Sequence, residues 1–326
     1  MTAFAPQFNA RQALPGERFV RAEAPARGAP LAGGAALGIL MMLIVQLIMP
    51  INDAMAKYLV ASLPVLQIAW ARFFGNAVLL VPVVLWRRGL GALRTDRPGL
   101  QVARALAILA ANLLFVTGVR VVPLADALAL IFVAPLAVTA LSPWLLGEQV
   151  RRAEWVAVCL GFAGALVIIR PGSAGLDIAA LLPLGAGLCF SLYLILTRKL
   201  AGTSPADVTL SITSLVAGGA LSLLMPFVWV WPTLGETLLL LAVGTCACTG
   251  HLLLTRALDF APAASLAPFT YLSLVTATAL GWFVFGDFPD GWTWLGASII
   301  VLSGLVLWRF RQRGAGTTPP AKGDPS

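Results

Sequence analysis

The 326-residue chain is 59% hydrophobic and 11% charged, with a mean hydropathy of +0.90. Soluble domains carry about a quarter charged residues, because Lys, Arg, Asp and Glu cover most of a solvated surface, so a water-soluble fold is excluded. A net charge of +8 would suit a nucleic-acid partner only if the basic residues shared one folded face, whereas here they fall in short runs between apolar stretches.

Residues 1–32 mix Pro, Gly, Ala and Arg without apolar periodicity and read as a disordered tail. The apolar stretch that follows is too long for the h-region of a cleaved signal peptide. About 20 consecutive apolar residues cross the hydrocarbon core as a helix. Such runs occur at 34–59, 64–86, 102–119, 122–146, 153–170, 178–199, 206–228, 236–256, 262–285 and 291–309. They predict an all-α integral membrane protein with ten transmembrane helices, followed by a second tail over 310–326. Cys159, Cys189, Cys246 and Cys248 all fall within these runs, where cysteine behaves as a small hydrophobe.

Lys and Arg collect on the cytoplasmic side of alternate loops. With ten spans and a cytoplasmic N-terminus, the inner segments hold eighteen of them, including Arg87, Arg88, Arg104, Arg151, Arg152 and Arg198. The outer ends hold three: Lys57, Arg120 and Arg170. One missed helix would invert every later loop, so the bias supports the span count and predicts that both termini are cytoplasmic.

Residues 122–148, VPLADALALIFVAPLAVTALSPWLLGE, align without a gap with 261–287, APAASLAPFTYLSLVTATALGWFVFGD, after a shift of 139. Pro123 meets Pro262, Thr139-Ala140-Leu141 meets Thr278-Ala279-Leu280, and Gly147-Glu148 meets Gly286-Asp287. Trp155 falls on Trp294 and Asn112 on His251. Each half holds five spans, an odd number, so the second copy crosses the membrane in the opposite sense. Inverted repeats of this kind build many secondary transporters, with the site near the midplane. The expected units are 33–171 and 172–309.

Ten spans in two halves, Arg72 in the second span, and PLADALALIFVAPLAVTALSPWLLGE leading to RRAEWVAVCLGFAGALVIIRPG resemble the drug/metabolite transporter superfamily, EamA type, over roughly residues 34–309. The second copy departs from the pattern, with Leu274 in place of Pro135 and Gly286-Asp287 in place of Gly-Glu. The resemblance implies an inner-membrane secondary transporter that exports or exchanges small polar metabolites without ATP. It implies no cofactor. A monomer or a homodimer would serve.

Polar groups deep in a span are expensive and point to function, with interhelical hydrogen bonding as the alternative. Asn112 and His251 are deep and equivalent in the repeat, so a shared cavity is expected. His251 is the only histidine and the candidate for proton coupling. Gln46 is the expected substrate contact of the first span, where Pro50 should bend the helix. Asp53 and Lys57, one turn apart, are expected to pair with each other. Arg72 lies too deep to snorkel and needs an acceptor, structural or substrate. Asp126, just after Pro123, suits the positive end of a helix dipole. Phe115, Phe132, Tyr193 and Tyr271 are candidate aromatic walls, with Phe132 and Tyr271 equivalent in the repeat.

An enzyme is disfavoured, because there is no HExxH, no Asp-rich diphosphate motif and no phosphate-binding loop. No catalytic or metal-ligating residue is assigned. Against a receptor or scaffold stands only the inverted repeat.

Overall fold

The computed structural model describes residues 34–170, 177–201 and 203–315; the expected tail over 1–32 lies outside them, as do residues 316–326 of the second, whereas 310–315, expected in that tail, continue the last helix. The first half comprises α1 (Gly34–Leu59), α2 (Val65–Arg88), α3 (Pro98–Gly118), α4 (Leu124–Ile131), α5 (Ala134–Leu146) and α6 (Arg152–Ile169). The second comprises α7 (Asp177–Lys199), α8 (Ala206–Val228), α9 (Leu234–Phe260), the short α10 (Ala263–Leu266) with a 3₁₀ segment (Ala267–Tyr271), α11 (Leu272–Phe285) and α12 (Gly291–Ala315). Among the described residues, ten stretches are long and apolar enough to cross a membrane, α4 with α5 and the 3₁₀ segment with α11 each making one. Large apolar side chains such as Leu223, Phe227 and Phe283 lie exposed on the outside of the bundle, as a lipid-facing surface requires.

Local chemistry sets the boundaries. Pro98 opens α3, where a missing N–H leaves no bond unmade. The Thr233 hydroxyl accepts from the Glu236 N–H and the Glu236 carboxylate accepts from the Thr233 N–H, a reciprocal cap that starts α9. Gly147 and Gly286 end α5 and α11 at φ 68° and 74°, a left-handed conformation that glycine adopts without strain.

The helices pack mainly across the two halves: α1 on α9, α3 on α7, α2 on α8, α6 on α12 and α4 on α11. Under the repeat the α1–α9 contact exchanges with α3–α7, and α2–α8 and α6–α12 map onto themselves, as a two-fold relation between halves requires. Glycines permit the closest approaches. A Cβ on Gly296 would stand 2.5 Å from the Gly164 carbonyl oxygen, and one on Gly75 would stand 2.9 Å from Gly244 Cα.

Both copies of the repeated helix are broken at matching depth. Pro135 removes the hydrogen bond that the Ile131 carbonyl would accept and crowds that carbonyl, so α4 stops at Ile131 and α5 restarts at Ala134. Leu274 cannot do this in the second half, and Pro268 in the 3₁₀ segment supplies the break instead. Phe132 and Tyr271 sit at these interruptions with ring centroids 5.1 Å apart.

Arg104 departs from expectation. Counted among the loop cations, it lies in the second turn of α3 and is 4% exposed. The helix begins at Pro98, earlier than hydropathy alone suggests, and draws Arg104 into the bundle.

Candidate functional site

A cavity of about 340 Å³ lies between the halves, near the lower end of the range typical of small-molecule sites, about 300–1,000 Å³. It is walled by α1 (Gln46, Asp53), α2 (Arg72, Phe73, Asn76), α3 (Asn112, Phe115), α7 (Phe190, Tyr193), α8 (Thr213, Ser214), α9 (His251) and Thr270. Each wall helix faces a partner from the other half, so movement of the halves must reshape it.

Its charges are paired. Arg72 donates to Asp53 at 3.0 Å, and both side chains are largely buried. This corrects the expected pairing of Asp53 with Lys57. Lys57 instead reaches Asp287 at 2.7 Å and stands 4.9 Å from the centre of the Phe285 ring. The two residues are one turn apart on α1, but each meets a stronger partner on another helix: Arg72 opposite the cavity for Asp53, and the carboxylate beyond α11 for Lys57.

His251 has a defined tautomer. Its Nδ1 lies 2.7 Å from the Ala247 carbonyl oxygen. A carbonyl can only accept, so Nδ1 carries a proton, and in the neutral ring Nε2 keeps a lone pair. Asn76 and Asn112 are 3% and 8% exposed, and each keeps a buried carboxamide oxygen with no hydrogen-bond partner among the described residues. Unsatisfied buried polar atoms are rare and call for an explanation; the same state occurs at Asn52, Gln101 and Asp126, which do not line the cavity. Gln46 makes only a weak contact, Nε2 to the Met42 sulfur at 3.5 Å.

Of the residues singled out in the sequence, the structure thus brings Gln46, Asp53, Arg72, Asn112, Phe115, Tyr193 and His251 together around one cavity. Phe132 and Tyr271 pack on each other at the helix breaks, and neither is among the lining residues. Lys57 is at one end of the bundle. Asp126 occupies the first turn of α4, is 5% exposed, and keeps Oδ1 without a hydrogen-bond partner among the described residues. Asn76, Phe190, Thr213 and Arg104 were missed. Asn76 lies midway along its span, and the depth rule that found Asn112 would have found it.

The family described as "EamA-like transporter family" matches residues 36–170 and again 177–309. The chain is 31% identical over 283 residues to a riboflavin transporter of Rhizobium johnstonii, covering 86% of this chain and 93% of that protein. It is 29% identical over 271 residues to an S-adenosylmethionine uptake transporter of Rickettsia prowazekii, covering 83% and 92%. It is 28% identical over 282 residues to a pseudopaline exporter of Pseudomonas aeruginosa, covering 84% and 97%. With ten spans, an inverted pair of halves and these matches along most of its length, the chain belongs to the EamA-like transporter family: a multi-pass transporter of the inner membrane, not an enzyme.

Proposed function

We propose that the protein is a secondary transporter that moves a small amphipathic metabolite, bearing a flat hydrogen-bonding ring, by alternating access of the cavity between its halves. Both termini are placed in the cytoplasm, as the loop charges favour. The observation that carries this reading is the cavity lining. Phe73, Phe115 and Phe190 offer faces for a planar ring, and the unsatisfied carboxamides of Asn76 and Asn112 offer donor and acceptor pairs for its edge. Among the described residues the one ion pair in the wall, Arg72–Asp53, is internal to the protein, so binding requires no charged substrate to break it.

Direction is set by gradients. The family resemblance points to export, and relatives are named for uptake and for export, consistent with a carrier whose binding site faces either side in turn. Coupling to protons is assigned to His251, whose Nε2 lone pair in the cavity wall is open to a proton or to a substrate donor. The halves 33–171 and 172–309 are the moving bodies, in a monomer or a homodimer.

The test is flux in proteoliposomes. Riboflavin and S-adenosylmethionine, taken from the names of the relatives, are the first probes, with and without a pH gradient. Saturable flux of either without chemical turnover supports the transporter. Binding without flux would make the protein a receptor, and conversion of the probe would make it an enzyme.

A further inference from the structure

Arg104 is almost fully buried and carries a charge that no carboxylate neutralises: the ion pairs among the described residues do not include it. Its Nε donates to the Thr197 hydroxyl at 2.7 Å, Nη1 to the Thr209 carbonyl and the Thr213 hydroxyl, and Nη2 to the Tyr193 hydroxyl at 2.8 Å. The guanidinium carbon also lies 4.5 Å from the centre of the Tyr193 ring. All these acceptors are neutral. Buried cations ordinarily have a counter-ion, so a group set one layer behind the cavity wall with none of its own needs another account.

Proton accounting identifies which wall group transmits the charge. Each hydroxyl has one proton to donate. Thr197 gives its proton to the Tyr193 carbonyl at 2.7 Å and Thr213 gives its own to the Thr209 carbonyl at 2.9 Å. Both are committed within their helices. Tyr193 accepts from Arg104, no acceptor within the bundle takes its phenolic proton among the described residues, and its side chain lines the cavity. A hydroxyl that accepts from a cation becomes a stronger donor, because the bonds in a chain polarise one another.

The opposite character faces it. His251 presents a lone pair, Asn76 and Asn112 carry unsatisfied carboxamide oxygens, and the Arg72–Asp53 pair cancels its own charge. Unsatisfied acceptors thus stand on α2, α3 and α9, and α7 presents a donor backed by an unpaired cation.

We propose that Tyr193, backed by Arg104, is the subsite for an electron-rich oxygen of the substrate, a carbonyl, carboxylate or enolate oxygen that accepts the phenolic proton as a hydrogen bond. Tyr193 is the contact and Arg104 the positioning residue that acts through it. This rests on the cavity being the substrate site, and the test separates the two ideas.

The chain has three tyrosines, Tyr58, Tyr193 and Tyr271, so full-length protein labelled with 3-fluorotyrosine gives three fluorine signals, assigned by Tyr→Phe variants. Riboflavin, S-adenosylmethionine and benzoate are titrated as probes, with benzene as the probe lacking oxygen. The Tyr193 signal should move with at least one oxygen-bearing probe and not with benzene. Y193F should weaken that probe's binding about tenfold, the loss of one charge-assisted hydrogen bond. R104K, which keeps the charge but loses the fork, should weaken it less, and should add nothing in the Y193F background. If Arg104 is only a structural strut, R104K and Y193F combine additively and the proposal falls. A Tyr193 signal unmoved by every oxygen-bearing probe also overturns it. If the signal moves while proteoliposomes carry neither riboflavin nor S-adenosylmethionine, the subsite stands and the transport reading of those substrates fails.

Discussion

Glu148 and Asp287 occupy equivalent positions of the repeat, each directly after a left-handed glycine, and each is held by a cation from the first helix of the opposite half. Arg198 reaches Glu148 at 2.7 Å and Lys57 reaches Asp287 at 2.7 Å. The two ion pairs close opposite ends of the bundle.

Weakening either pair should favour opening at its own end. In a background with the four cysteines replaced, D287N should raise maleimide labelling of a cysteine at Val60, and E148Q should raise it at Ala201. The Lys57 side chain is 12% exposed and that of Arg198 53%, so screening by water makes the second effect the smaller. Labelling that rises equally at both ends in either variant would remove the pairs from gating.

The Asp53–Arg72 pair should be strongly coupled. Removing one partner of a buried pair leaves an unpaired charge and typically destabilises by about 3–5 kcal/mol, whereas removing both is far milder. D53N alone should lower the thermal midpoint in detergent sharply. D53N combined with R72M should recover most of it, yet should not recover transport, because the wall has lost both groups. Equal midpoints for the single and double variants would contradict this.

How much could be seen in advance follows from where the information lies. Span positions, the inverted repeat and the shared cavity of Asn112 and His251 depend on hydropathy and periodicity along the chain. Partner choice does not: Asp53 and Lys57 are neighbours on one helix, and only the fold reveals Arg72 and Asp287 opposite them. The repeat correctly made Phe132 and Tyr271 counterparts, but the helix breaks turn their rings onto each other instead of into the cavity. Arg104 falls at the very edge of a span that hydropathy begins at residue 102, where a cation counts toward the inner loop; Pro98, a start signal present in the sequence, moves that edge out by a turn and puts Arg104 within the bundle.

The α6–α12 contact should tolerate no added methyl group. A Cβ on Gly296 would meet the Gly164 carbonyl at 2.5 Å and the Ile168 side chain at 2.6 Å, and overpacking of this kind costs about 1–3 kcal/mol. G296A should lower the thermal midpoint, whereas G219A, with nothing within 4 Å of its Cβ, should not.

Asp290 joins a helix cap to an ion pair. Its carboxylate accepts from the Thr293 N–H at 2.9 Å at the start of α12 and pairs with Arg170. Burial would raise its pKa, but the Thr293 N–H and the Arg170 guanidinium outweigh burial and hold it below the usual aspartate value. Such a group adds stability above its unfolded pKa and loses it as pH falls through the lower, folded value. Thermal unfolding should show a loss below about pH 4 that is smaller in D290N, and modest because the side chain is 49% exposed. At neutral pH, D290A should cost about 1 kcal/mol through the lost cap. An acid limb unchanged in D290N would show that other carboxylates set it.

The packing of each helix on one from the opposite half also constrains assembly. α1–α6 leave the ribosome first, and the surfaces that α7, α8, α9 and α12 will cover have no partner until the later helices insert, among them the buried Arg104, whose acceptors Tyr193, Thr197, Thr209 and Thr213 all lie on α7 and α8. The early half must wait in the bilayer as an open set of helices and close in one late event, so neither half is a folding unit by itself. Two co-expressed half-chains, divided between α6 and α7, should rebuild a transporter that neither forms alone.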